Sequence, residues 1–136
     1  MKKMKALAIA MVLLAVAMIA VGCGKGGLTN YFGLKENNIS KIEYYYQTGK
    51  SPKTIDLSKA GKFMDVFDVD YTGCDRSDIS TGAPYYRVTF NQDGTTRTLI
   101  LYVQPDGRIG ASMYDGVVTI YYKSTTSITI PWELKS

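Results

Sequence analysis

Three Asx-Gly turns constrain most what this chain can fold into. Gln92-Asp93-Gly94, Pro105-Asp106-Gly107 and Asp115-Gly116 divide the residues after Pro84 into four short runs rich in Val, Ile, Tyr and Thr. Gly accepts the positive φ that a tight hairpin turn demands, and Pro presets the negative φ that leads into one. Within the runs apolar and polar residues alternate, the pattern of half-buried strands. Tyr86, Val88 and Phe90 share a face of a strand expected over Tyr85–Asn91, and Leu99, Leu101 and Val103 share a face of the next, Arg97–Gln104. Arg108–Tyr114 and Val117–Lys123 continue the series. Four strands joined by three tight turns read as an antiparallel meander. Ile128–Trp132 is expected as a last short strand or as a tail packed on the sheet.

Upstream, Ile39–Gln47 alternates in the same way, with Ile42, Tyr44 and Tyr46 on one face and Lys41, Glu43 and Tyr45 on the other. A turn-rich stretch, Thr48–Pro52, leads to a short strand over Lys53–Leu57. The period then changes. Ala60, Phe63, Met64 and Phe67 recur at helical spacing, and Asp56 or Ser58 can cap the helix by accepting its free N–H groups. Gly61 costs that helix about 1 kcal/mol relative to Ala. One helix covers one face of a sheet. The expected fold is therefore α+β: one amphipathic helix on an antiparallel sheet of five to six strands, in the order β-β-α-β-β-β-β, with the other face open.

The N-terminus carries a different signal. Lys2, Lys3 and Lys5 precede an uncharged apolar run, Ala6–Val21, which ends in small residues and a Cys. This is the order of an export signal. Ala20-Val21-Gly22-Cys23 resembles the lipobox of bacterial lipoproteins, a family that favours Leu where Ala20 stands. The resemblance implies cleavage before Cys23, a diacylglycerol joined to its thiol, and a domain held on the extracytoplasmic face of the cell membrane. The alternatives are an uncleaved span and a soluble secreted product. A span needs roughly 20 apolar residues, which the run nearly reaches when Gly22–Gly24 are added. It is the lone Cys bordering a Gly-rich stretch that favours the lipoprotein. The Gly-rich stretch that follows reads as a flexible tether, in which Tyr31, Phe32 and Leu34 could dock on the domain or sit in the headgroups. The expected organisation is a leader over 1–22, lipidated Cys23 and tether over 23–37, and a single domain over 38–136. In layout alone it is similar to small lipoproteins of Gram-positive bacteria.

Composition narrows the chemistry. Of 16 basic residues three lie in the leader, and 12 acidic residues balance the remainder almost fully, so no basic stripe argues for nucleic acid. Lipidation of Cys23 leaves Cys74 without an internal partner. The absence of His removes Ser-His-Asp and Cys-His constellations and His-containing zinc sites. Carboxylate chemistry stays open through Glu36, Glu43, Glu133 and the Asp residues.

Two features could bind. The loop Asp68–Gly82, with Asp68, Asp70, Asp75 and Asp78 in it and Asp65 before it, begins like a calcium loop. It then departs: Thr72 replaces a ligand, and Ile79 stands where a bidentate Glu belongs. A solvated acidic loop is the expectation, with no metal and no cofactor. The chain also has eleven Tyr, with runs at Tyr44–Tyr46, Tyr85–Tyr86 and Tyr121–Tyr122. Runs on strands put rings on both faces, so Tyr45, Tyr85 or Tyr121, with Arg87 beside them, could form an aromatic platform for a sugar, peptide or protein. The resulting expectation is a lipid-anchored, non-catalytic domain binding a protein or cell-envelope component. The rivals are a small carboxylate hydrolase acting on the cell wall, and a structural spacer.

Overall fold

A computed structural model describes residues 27–135. The elements are α1 (Gly27–Phe32), β1 (Ile39–Tyr45), β2 (Lys53–Ile55), α2 (Ala60–Phe67), β3 (Tyr71–Gly73), β4 (Tyr85–Gln92), β5 (Thr95–Val103), β6 (Ile109–Tyr114) and β7 (Thr119–Ser124). All seven strands form one antiparallel sheet in the order β2-β1-β4-β5-β6-β7-β3. The fold is α+β, with the main helix on one face of the sheet. A turn over Leu57–Lys59 leads into α2, and its cap is Asp56, whose carboxylate accepts the Ser58 N–H at 2.8 Å.

The alternation read from the sequence sorts the two faces. Ile42 and Tyr44, Tyr86, Val88 and Phe90, Leu99 and Leu101, and Ile109, Ala111 and Met113 are buried together. Ala60, Phe63, Met64 and Phe67 of α2 pack on them. The Asp93-Gly94 turn has positive φ at both positions, 51° and 81°, and pairs Gln92 with Thr95. Two left-handed residues match the twist of a two-residue hairpin.

Two expectations need correction. Residues 27–37 are not a flexible tether: Leu28, Phe32 and Leu34 are fully buried, so Phe32 and Leu34 dock on the domain, and Phe32 of α1 meets Tyr122 edge to face. Glycine content hid this helix, because its support is tertiary. The Asp68 carboxylate accepts the N–H groups of Leu28 and Thr29 at 2.7 and 3.2 Å, which caps α1 from across the chain. Within the stretch read as a polar loop, Tyr71–Gly73 forms a strand along β7. Of the two readings of the C-terminal tail, the packed tail holds: it forms no strand, and Ile128 and Ile130 pack against the core. It ends in a turn over Trp132–Leu134 whose Leu134 is buried and whose carbonyl accepts the Tyr86 hydroxyl at 2.6 Å. Gly61 also has a packing role that propensity misses, since a Cβ there would lie 2.9 Å from Glu36 Oε1.

Candidate functional site

Strand order places β3 at one edge of the sheet and β4 near the other, so the chain between them must cross several strands. It crosses on the face opposite the helices. Ile79 is buried there against Gly110, where an added Cβ would clash with the Ile79 Cγ2. Only glycine lets the crossing chain sit so close. Gln104 holds the same segment: its Oε1 accepts the Ser80 N–H at 2.8 Å and its Nε2 donates to the Ser80 carbonyl at 3.1 Å. The face opposite the helices is thus covered at one end of β5–β7 and open beyond.

A row of tyrosines runs out from beneath this cover. Register sets Tyr45 opposite Tyr85 and Tyr85 opposite Tyr102. Tyr45 and Tyr85 stack with ring centroids 4.6 Å apart and planes 12° apart, and Tyr85 meets Tyr102 at 5.4 Å and 52°. Burial pushes the Tyr102 phenol up, with Tyr85 and Tyr121 adding to the effect and Arg76 opposing it. A ring stacked at 4.6 Å leaves no room between itself and its neighbour. The row is therefore not a flat platform, and its unblocked surface is at the Tyr45 end and along the ring edges. A cleft of about 440 Å³ lies there, bounded by Tyr45 and Tyr85, the β1–β2 turn at Gln47–Lys50, and Thr81–Ala83 of the crossing chain. Rings, amide and hydroxyl groups and a lysine in one cleft suit a polar ligand with some apolar surface.

The other sequence candidates are placed as follows. Cys23 lies outside the described residues. Arg87 shares the open face and is opposite Glu43 and Ile100; Tyr121, opposite Ser112, stands one row away from the tyrosine row. Tyr121 lines a second cleft of about 750 Å³ with Cys74, Asp75, Arg76 and Asp78. Burial pushes the Cys74 thiol up, Asp78 and Asp75 push it further, and Lys123 opposes them. Since the thiolate is the nucleophile, Cys74 is not activated. The acidic loop is taken up by structure. Asp68 caps α1, and Asp78 Oδ2 accepts the Asp75 N–H at 2.9 Å. Among the described residues no cluster of three metal-ligating side chains forms. Glu43 pairs with Lys41 on the open face, whereas Glu133 pairs with Lys62 and Glu36 abuts Gly61, both against α2. Glu43 is thus on the other side of the sheet from Glu36 and Glu133.

Tyr102 is the member of the row that sequence reading left out. Comparison with protein-family models, curated proteins and solved structures returns no match. Among the described residues no helix is long and apolar enough to cross a membrane.

Proposed function

We propose that this chain is a lipid-anchored extracytoplasmic binding domain, held at the cell membrane through Cys23 and without a catalytic step of its own. It takes a protein or cell-envelope component at the open end of the tyrosine row. The observation that carries the reading is the stacked Tyr45–Tyr85 pair forming one wall of a cleft. Aromatic side chains with hydroxyl rims combine apolar contact area with hydrogen bonding, the mixture that sugars and peptides present. The leader and the lipobox-like Ala20–Cys23 supply the location.

The test has two arms. The wild-type chain is expected in the membrane fraction with acyl mass on Cys23, and Cys23→Ser is expected to lose both. Envelope material copurifying with the anchored chain is expected to disappear with Tyr45→Ala and Tyr85→Ala. Soluble wild type lacking acyl mass refutes the anchor, and unchanged copurification in both tyrosine variants refutes the site.

A further inference from the structure

The two sides of the sheet differ in what they leave exposed. Among the described residues, the large apolar side chains most open to solvent are Tyr31, Tyr46, Leu57, Tyr114, Val117, Val118 and Trp132. Tyr114, Val117 and Val118 lie at the β6–β7 turn. The other four belong to the helix-bearing side. Tyr31 stacks at 4.6 Å on Tyr122, which packs against the core, and Tyr46 lies 6.3 Å from buried Tyr44. Leu57 opens the turn into α2, and Trp132, 71% exposed, opens the turn that buries Leu134. The tyrosine row lies on the opposite side.

Gly27 also belongs to the helix-bearing side. Its N–H donates to the Val69 carbonyl at 3.1 Å, and a Cβ on it would meet the ring of Tyr71, whose hydroxyl donates to the Phe67 carbonyl of α2. From Cys23 to Gly27 is four residue steps, which span about 14 Å at most. A lipid on Cys23 therefore holds this side close to the headgroups.

From these features we infer that the helix-bearing side, led by Trp132 and Leu57, docks on the surface of the bilayer that holds the chain's own lipid, and turns the tyrosine row away from it. This rests on the anchoring reading above. Trp suits the membrane interface because its ring is amphipathic. Around the same turn Lys59 Nζ lies 3.0 Å from the Glu133 carbonyl, and Lys62 pairs with the Glu133 carboxylate at 3.1 Å. Lysine stems cover apolar surface while their ammonium groups reach headgroups. Asp56 and Glu133 share this surface, so apolar insertion rather than net charge drives the contact.

Trp132 is the chain's sole tryptophan, which makes it the reporter. The full acylated chain is reconstituted in phosphatidylcholine–phosphatidylglycerol vesicles, with and without brominated acyl chains, and flotation is measured alongside fluorescence. Trp132 is expected to lose most of its emission to the brominated lipid. A tryptophan on the open face, placed by Tyr45→Trp or Thr54→Trp with Trp132→Phe, is expected to keep it. A chain that floats with the vesicles while Trp132 stays unquenched overturns the docking and leaves the anchor intact. Quenching of the open-face tryptophan in place of Trp132 overturns it equally. A wild-type chain that does not float removes the anchor and the docking together.

Discussion

The Asp68 carboxylate accepts the backbone N–H of Leu28 at 2.7 Å, and the Thr29 hydroxyl donates to its other oxygen at 3.1 Å. This pair ties the first helix to the end of α2, and it turns an acidic residue that resembles a cation ligand into a cap. Asp68→Ala is expected to cost about 0.5–2 kcal/mol, the range for losing a helix cap. Urea unfolding of the two chains measures it, and calcium is expected to leave the wild-type midpoint unmoved.

Gly110 and Ile79 define the crossing of the chain over the sheet. An added methyl at Gly110 would meet Ile79 at a distance no real contact shows, so Gly110→Ala must displace the crossing segment. Overpacking of this kind costs about 1–3 kcal/mol. Ile79→Ala creates room, so the double variant is expected to lose less than the two single losses combined, a coupling that equilibrium unfolding of all four chains detects.

The stacked pair predicts its own coupling. A double-mutant cycle on Tyr45→Ala and Tyr85→Ala is expected to give about 0.5–1.5 kcal/mol beyond area burial, as for other aromatic pairs. Additive losses would mean that the two rings do not hold each other in solution.

Two buried phenols set the alkaline limit. Burial pushes Tyr71 and Tyr86 well above the ordinary tyrosine value of about 10, with the charge of Asp68 adding at Tyr71 and Tyr44 adding at Tyr86. Folding therefore favours the protonated form. The stability this contributes is complete below the unfolded value of about 10 and is lost as pH rises above it. The urea midpoint is expected to fall steeply above that pH, and to fall less steeply in Tyr86→Phe, whose other cost is the lost bond to the Leu134 carbonyl.

Much of this was legible because strands have a period of two and helices a period of about 3.6. The burial of Tyr86, Val88 and Phe90, and of Ala60, Phe63, Met64 and Phe67, follows the written pattern. Tyr102 was legible too. A two-residue turn at Asp93-Gly94 pairs Gln92 with Thr95, and counting back along both strands sets Tyr85 opposite Tyr102. The partnership of Tyr45 with Tyr85 joins strands that no local turn connects, so only the fold reveals it. Gly27–Phe32 and Tyr71–Gly73 escaped for a related reason. Each is too short and too glycine-rich to form alone, and each is held by distant groups, Asp68 and β7. Ile79 and Gly110 form a contact with no sequence signature at all.

The central claim is that the open end of the tyrosine row binds a protein or envelope component. Its most direct test is the thermal melting of the soluble chain from Gly24 onward, against cell-wall fragments and oligosaccharides, beside Tyr85→Ala. A ligand at 100 times its Kd stabilises by about 2.7 kcal/mol, which is several degrees for a domain of this size. The account predicts a dose-dependent rise with one ligand class in the wild type and its loss in Tyr85→Ala. A rise that survives undiminished in Tyr85→Ala would contradict it, and no rise with any of these ligands would rule out a small envelope ligand and leave a protein as the occupant.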